Sequence, residues 1–442
     1  MAAVSSWPSL GRAPKSMMLI ASAGGVEGRE PPAPVTPQIP GPRPSTPPAD
    51  AINIMDFGAR PNDGQDDTAA IRQAIDQAHR EGKAVVFPEG QFDVGQRFDL
   101  RGGGAYYGPG IINWTGGDGA AVFIPGNEGD IHIDGLTFNG RGIHFNSKHN
   151  NVTIVNTTFQ NIGGGASHAG KAAIYANGGM TNGLIQNNHF YNVQDEGVWI
   201  NTSAGGTKID SNYFDGVWQP IHVIHGSLDY RPSHADFATV KTGQDVQFTN
   251  NVGVRIKRMG IEFQGWGADN SLVQGNHFSD WDREYGAHPD HHEGFGLSIM
   301  NKGNHIKVLD NQLFGAPENE IGIEFAGHNG IIAGNVVSGF REGSHVTYGH
   351  NIQIQGNHFV DNRLMAIWFP GYEGFGVNNT NISNNKFTNP GTGFLFTGGA
   401  GRHSGSVIAG NELYLSGGAQ LVQYQGGAME GVTFGNNTII RN

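Results

Sequence analysis

The chain has 442 residues and a formal net charge of -12, which gives a nucleic-acid partner no electrostatic footprint. Glycine is 70 of these residues and charged residues are only 15%, a mixture that calls for many tight turns. No G-x-y triplet persists and short Val, Ile, Leu and Phe runs recur, so collagen and wholesale disorder are excluded; the lack of cysteine excludes disulfides and thiolate metal sites.

Residues 1–50 are expected to form a flexible, proline-rich segment. The apolar run MMLIASA at 17–23 follows Arg12 and Lys15 but is shorter than a normal signal-peptide core. Beyond it, EPPAPVTPQIPGPRPSTPP favours an extended tether over a packed element. A folded domain is expected over 51–442, with an N-terminal cap at about 51–95. The cap reads as a strand, a loop, a helix with Asp67 or Thr68 at its N-cap, and a second strand. Ala70, Ile71, Ala74, Ile75 and Ala78 fall on one apolar face of that helix. No apolar run is long enough to span a membrane.

Downstream, alternating apolar residues followed by Gly or Asn, then Asn, then an apolar residue recur as LIQNNHF, KIDSNYF, LVQGNHF, IQIQGNHF and related runs. The marked asparagines are Asn188, Asn212, Asn251, Asn276, Asn311, Asn335, Asn357, Asn385, Asn411 and Asn437, with a base step near 24 residues and occasional insertions. A period of that size with strand alternation predicts a solenoid whose coils carry about three short strands and stack at about 4.8 Å. One asparagine per coil then forms a ladder, hydrogen-bonding along the axis and tolerating the left-handed backbone of a tight bend. These asparagines are structural rather than glycosylated, although sequons such as that at Asn151 occur.

MDFGARPNDGQDDTAAIRQAIDQA resembles the capping segment of the pectate-lyase-like right-handed parallel β-helix superfamily, and FPEGQFDV resembles its first coil. With the repeats, the resemblance runs from 51 to 442. It implies an all-β, right-handed parallel β-helix with an N-terminal capping helix. The superfamily includes polysaccharide lyases, polygalacturonase-type hydrolases, alginate epimerases and phage tailspike depolymerases, so the fold alone does not name a reaction.

The strand after each asparagine corner carries the chemistry. These strands read GIHF, AIYA, GVWI, PIHV, GIEF, GLSI, GIEF, AIWF and GFLF. If the flanking apolar residues point inward, the residue between them points out. The outward column is then His144, Tyr175, Trp199, His222, Glu262, Ser298, Glu324, Trp368 and Leu395. Phe263, Ile299 and Phe325 should line the interior. Flat aromatic faces at both ends suit pyranose rings, and acids between them suit proton transfer. Glu262 and Glu324, two coils apart in this column, would hold their carboxyls about 9–10 Å apart, the upper end of the inverting-hydrolase range. The competing reading pairs either glutamate with Arg258 or Lys257 as a solvated ion pair.

Two insertions flank the column, HGSLDYRPSHADFATVKTG and SDWDREYGAHPDHHEGFG. The second supplies Arg283, Tyr285 and His292 as substrate-binding candidates and Asp290 and Glu293 as further acids; Asp195 and Glu196 precede GVWI. Three histidines beside Asp and Glu offer donors for a divalent cation such as calcium, but their spacing matches no metal motif, so no cofactor is expected. YGAHPDHH is similar to the Y-G-x-D-P-H stretch of mannuronan epimerases, with Asp and His exchanged around Pro289. GFGLSI and VRIK are similar to polygalacturonase motifs, in reversed order and with Phe295 in place of the histidine.

The expected function is degradation of a polysaccharide outside the cell, at a cell surface or on a virion, by an inverting glycoside hydrolase that is a monomer or homotrimer. A uronate-directed lyase or C5-epimerase, and a tailspike or adhesin that only grips glycan, are the alternatives.

Overall fold

The computed structural model describes residues 36–37, 41–126, 129–165, 168–225, 245–267, 269–281, 294–316, 319–370, 376–397, 403–425 and 431–441. Its strands stack in parallel register into a right-handed β-helix. Three strand rows run the length of the helix. The first is a 15-stranded sheet that includes Leu184–Gln186, Lys208–Asp210 and Gln247–Thr249. A second row includes His277–Ser279 and Gln312–Phe314. The third includes Ile261–Gly265, Leu297–Met300, Ile321–Ala326, Glu342–His350 and Met365–Pro370.

The core is a set of like-on-like stacks. Phe138, Phe159, Phe190 and Phe214 stack at centroid separations of 5.1, 5.0 and 4.6 Å, each nearly parallel to the next. Phe263, Ile299 and Phe325 are fully buried and in register, as the alternation predicts.

The asparagine ladder forms as expected. From Asn188 to Asn437, each Nδ2 donates to the Oδ1 of the next asparagine at 2.9–3.0 Å. One detail is corrected: the ladder asparagines do not take the left-handed conformation. The preceding residue does, at Asn187, Ser211, Asn250, Gly275, Asp310, Gly334, Gly356, Asn384, Gly410 and Asn436. That residue turns the corner, which frees the next to aim its amide along the axis.

The capping helix spans Thr68–Glu81 and buries Ala70, Ile71, Ala74, Ile75 and Ala78 over the first coils. Asp67 occupies the N-cap, yet its side chain accepts from the Arg60 amide at 2.9 Å; Asp66 Oδ1 accepts from the Thr68 amide instead. Ahead of the cap, the Ser45 amide donates to Asp134 Oδ1 at 3.2 Å. No described helix is long and apolar enough to cross a membrane.

Candidate functional site

The third row brings the outward residues into one column. Register pairs run His144, Tyr175, Trp199, His222, Glu262, Ser298, Glu324, His345, Trp368 and Leu395, one per coil. Glycines at the strand starts allow this regularity: a Cβ on Gly260 would lie 2.5 Å from the Gly296 carbonyl, and one on Gly296 would lie 2.5 Å from that of Gly322.

His345 is the member that the strand pattern missed. Its strand reads EGSHV, where Ser344 takes the inward place that other coils give to Ile, Val, Leu or Phe. Ser344 is fully buried and donates to the Ile323 carbonyl at 3.1 Å, so the lost apolar contact is replaced by a hydrogen bond. The asparagine ladder carried the missing signal, since the coil starting at Asn335 contributed no strand to the expected column.

With His345 included, the column reads Trp, His, Glu, Ser, Glu, His, Trp from Trp199 to Trp368. It is symmetric about Ser298. Glu262 and Glu324 lie two coils apart in register.

These residues point out of the barrel, but Glu262 and Ser298 are each only 2% exposed, which corrects the expectation that they face solvent. Neighbouring side chains lie over them. Glu262 Oε2 accepts from Gln219 Nε2 at 2.8 Å and from Arg258 Nη1 at 2.7 Å, and Oε1 accepts from Gln264. The Arg258 pair is buried rather than solvated, and the guanidinium is held in turn by Gln219 Oε1 and the Trp218 ring. Glu324 is half-buried, and its Oε2 accepts from Ser298 Oγ at 2.6 Å.

The two histidines between the tryptophans each have an acidic neighbour. His222 Nδ1 lies 3.5 Å from Glu196 Oε1, and its Nε2 lies 3.6 Å from Glu262 Oε2. Glu196 therefore joins the site, and Asp195 is buried beside it. His345 Nδ1 lies 3.2 Å from Glu342 Oε2, and its ring centroid lies 4.4 Å from Trp368.

Beyond His222 the aromatic shelf is continuous: His222 on Trp199, Trp199 on Tyr175 and Tyr175 on His144, with centroids 5.2, 5.0 and 4.9 Å apart. Burial, then the charges of Glu196 and Asp195, hold the Tyr175 hydroxyl above its usual range, so it stays neutral; it donates to Asn177 Oδ1 at 3.0 Å. At the other end Trp368 Nε1 donates to Thr397 Oγ1 at 3.0 Å.

Asp290, Glu293, Arg283, His292 and Tyr285, with the rest of 282–293 and the insertion at 226–244, lie outside the described residues. Among the described residues no three His, Asp or Glu side chains are grouped to hold a metal ion.

The coil geometry and the outward polar column define a pectate-lyase-like right-handed parallel β-helix protein. Families described as rhamnogalacturonase A/epimerase, pectate lyase-like, as right-handed β-helix region, and as periplasmic copper-binding protein match residues 51–103, 120–313 and 239–442. No curated protein matches the sequence. Among solved structures, the A-module of the Azotobacter vinelandii mannuronan C-5 epimerase AlgE6 is 15% identical with a TM-score of 0.53, covering 87% of this chain and 98% of that one. The AlgE4 A-module of the same organism is also 15% identical, with a TM-score of 0.50 and 86% and 99% coverage. The Streptococcus pneumoniae surface adhesin PfbA is 14% identical, with a TM-score of 0.49 and 87% and 100% coverage. At these identities the likeness is one of fold.

Proposed function

We propose that the protein is an inverting glycoside hydrolase that cleaves a neutral polysaccharide laid along the third strand row, outside the cell or at its surface. One observation carries this reading: two outward carboxylates stand two coils apart in a column closed at each end by aromatic rings. Glu262, ion-paired with Arg258, is suited to the ionised base that takes a proton from water. Glu324 is suited to the acid, because it stands half-buried in the column with its Oε2 oriented by the Ser298 hydroxyl. Sugar rings would rest on Tyr175 and Trp199 on one side and Trp368 on the other.

A uronate-directed lyase or epimerase is the second reading, favoured by the epimerase modules that share the fold. The described floor argues against it. Glu196, Glu262, Glu324 and Glu342 stand in or beside the column, and Arg258 is already bound by Glu262. An anionic substrate meets repulsion there.

The test is a panel of neutral and uronate-containing glycans, followed both by reducing ends and by the absorbance of unsaturated uronates. Reducing ends without that absorbance are expected, with the product anomer inverted by NMR. Glu262→Gln and Glu324→Gln should each lower turnover by roughly 10²- to 10⁴-fold while binding survives. Unsaturated uronates would establish the lyase instead, and binding without any cleavage would establish an adhesin.

A further inference from the structure

The second strand row carries an aromatic patch that the column does not use. His189–Ile200 and Tyr213–His225 are long strands that cross both rows, so the strands that present Trp199 and His222 to the column also present His189, Tyr191, Tyr213 and Asp215 around the corner. Register sets His189 beside Tyr213 and Tyr191 beside Asp215. The two tyrosine rings are half-buried with centroids 6.0 Å apart, and His189 Nδ1 lies 2.8 Å from the Tyr191 hydroxyl. Burial, then the Asp215 charge, holds both hydroxyls above the usual tyrosine range, so both stay neutral.

Arg255 closes the patch through an ion pair with Asp215. The corner that ends the second row takes the left-handed conformation at Asn161, Asn192, Gly216, Asp280, Gly339, Asp361 and Asn389, and Arg255 takes it too, with φ 49°. Asn, Asp and Gly suit that conformation, whereas a long side chain is strained in it. The arginine side chain is 62% exposed, so its ion pair returns little stability. Asparagine would hold this corner better, and the arginine is accounted for by what it presents.

We propose that Tyr191, Tyr213, Asp215 and Arg255 form a second glycan-binding site, which holds one stretch of a neutral polysaccharide while another stretch lies in the column. This rests on the polysaccharide reading of the protein and not on its hydrolytic chemistry. The tyrosines offer ring faces and neutral hydroxyls to a pyranose, the carboxylate accepts from sugar hydroxyls, and the guanidinium donates to them. The two charges offset each other, which suits a neutral ligand better than an anion. A net charge of -12 argues against nucleic acid, and two rings offer far less than the roughly 800 Å² per partner of a stable protein interface. Tyr191 and Trp199 are eight residues apart on one strand, about 26 Å of chain at about 3.3 Å per residue. A polymer that reaches both sites gains from effective concentration, and an oligosaccharide that reaches one does not.

The test runs the full chain in native gels cast with dextran, mixed-linkage β-glucan, galactomannan or arabinoxylan, and reads an apparent Kd from the retardation. At least one polymer should retard the parent. For that polymer Arg255→Asn, and separately Tyr191→Ala with Tyr213→Ala, should raise the apparent Kd by about 10-fold or more. Arg255→Asn keeps the corner conformation and should melt at or above the parent temperature, so it carries the test alone if the tyrosine variant unfolds early. Trp199→Ala with Trp368→Ala should weaken retardation independently, through the column. Parental Kd in either folded patch variant, beside a weakened column variant, overturns the second site and leaves the polysaccharide reading standing. A patch variant that falls from oligomer to monomer on gel filtration makes the patch a contact between copies and also overturns the site. Retardation by none of the four polymers overturns the site and the neutral-polysaccharide reading together.

Discussion

Trp199 lies between Tyr175 and His222, and Trp368 lies against His345; both tryptophans stay half-buried, which leaves part of each ring for a ligand. Trp199→Ala and Trp368→Ala should therefore weaken substrate binding, raising KM by about 10-fold or more while kcat changes less, since ring area is lost and no proton donor is. Steady-state kinetics on a cleaved glycan, with KM and kcat separated, checks this. The column was legible because strand alternation is strict: an apolar residue on each side marks its neighbour as outward. Legibility failed at His345, where Ser344 broke the apolar frame while preserving the geometry. The Arg258 pair was legible as the competing reading, but its burial and the reach of Gln219 across Glu262 were not, because they depend on how loops fold over the strands and no short period encodes that.

From Asn188 to Asn411, each ladder asparagine serves three coils. Asn276 Oδ1 accepts from the Asn251 backbone and side chain, while its Nδ2 donates to Asn311 Oδ1 and to the Phe248 carbonyl, all within the buried wall. Asn276→Ala removes every one of these at once and leaves several buried groups without partners. It should cost about 2–4 kcal/mol, read as a lower urea midpoint at unchanged slope. The ladder was legible from its period, and so was the capping helix from its apolar face. The corner conformation was not, because Asn stands at both the turning and the laddering positions in coils such as 187–188, and only the backbone tells them apart.

Across the whole molecule, buried histidines set a limit on acid stability. His144, His277, His358 and His403 all lie below the ordinary histidine range, in each case chiefly because burial penalises the charged ring. Unfolded, they protonate near pH 6.5; folded, they stay neutral to lower pH. Below about pH 6.5 the unfolded chain thus binds more protons than the folded one, so stability is full above that value and falls as pH drops through it. Melting temperatures should decline from pH 7 to pH 5, and His277→Gln should flatten part of the decline. The symmetric column has a consequence at this same scale. Trp, His, Glu, Ser, Glu, His, Trp reads alike from either end, so a sugar chain turned head to tail would meet the same groups in the same order. Under the proposed hydrolysis, something off the axis must then tell reducing end from non-reducing end. Among the described residues Arg258 is placed to do so, since it binds Glu262 while Glu324 accepts from Ser298. The polarity of the substrate would be written in that one guanidinium.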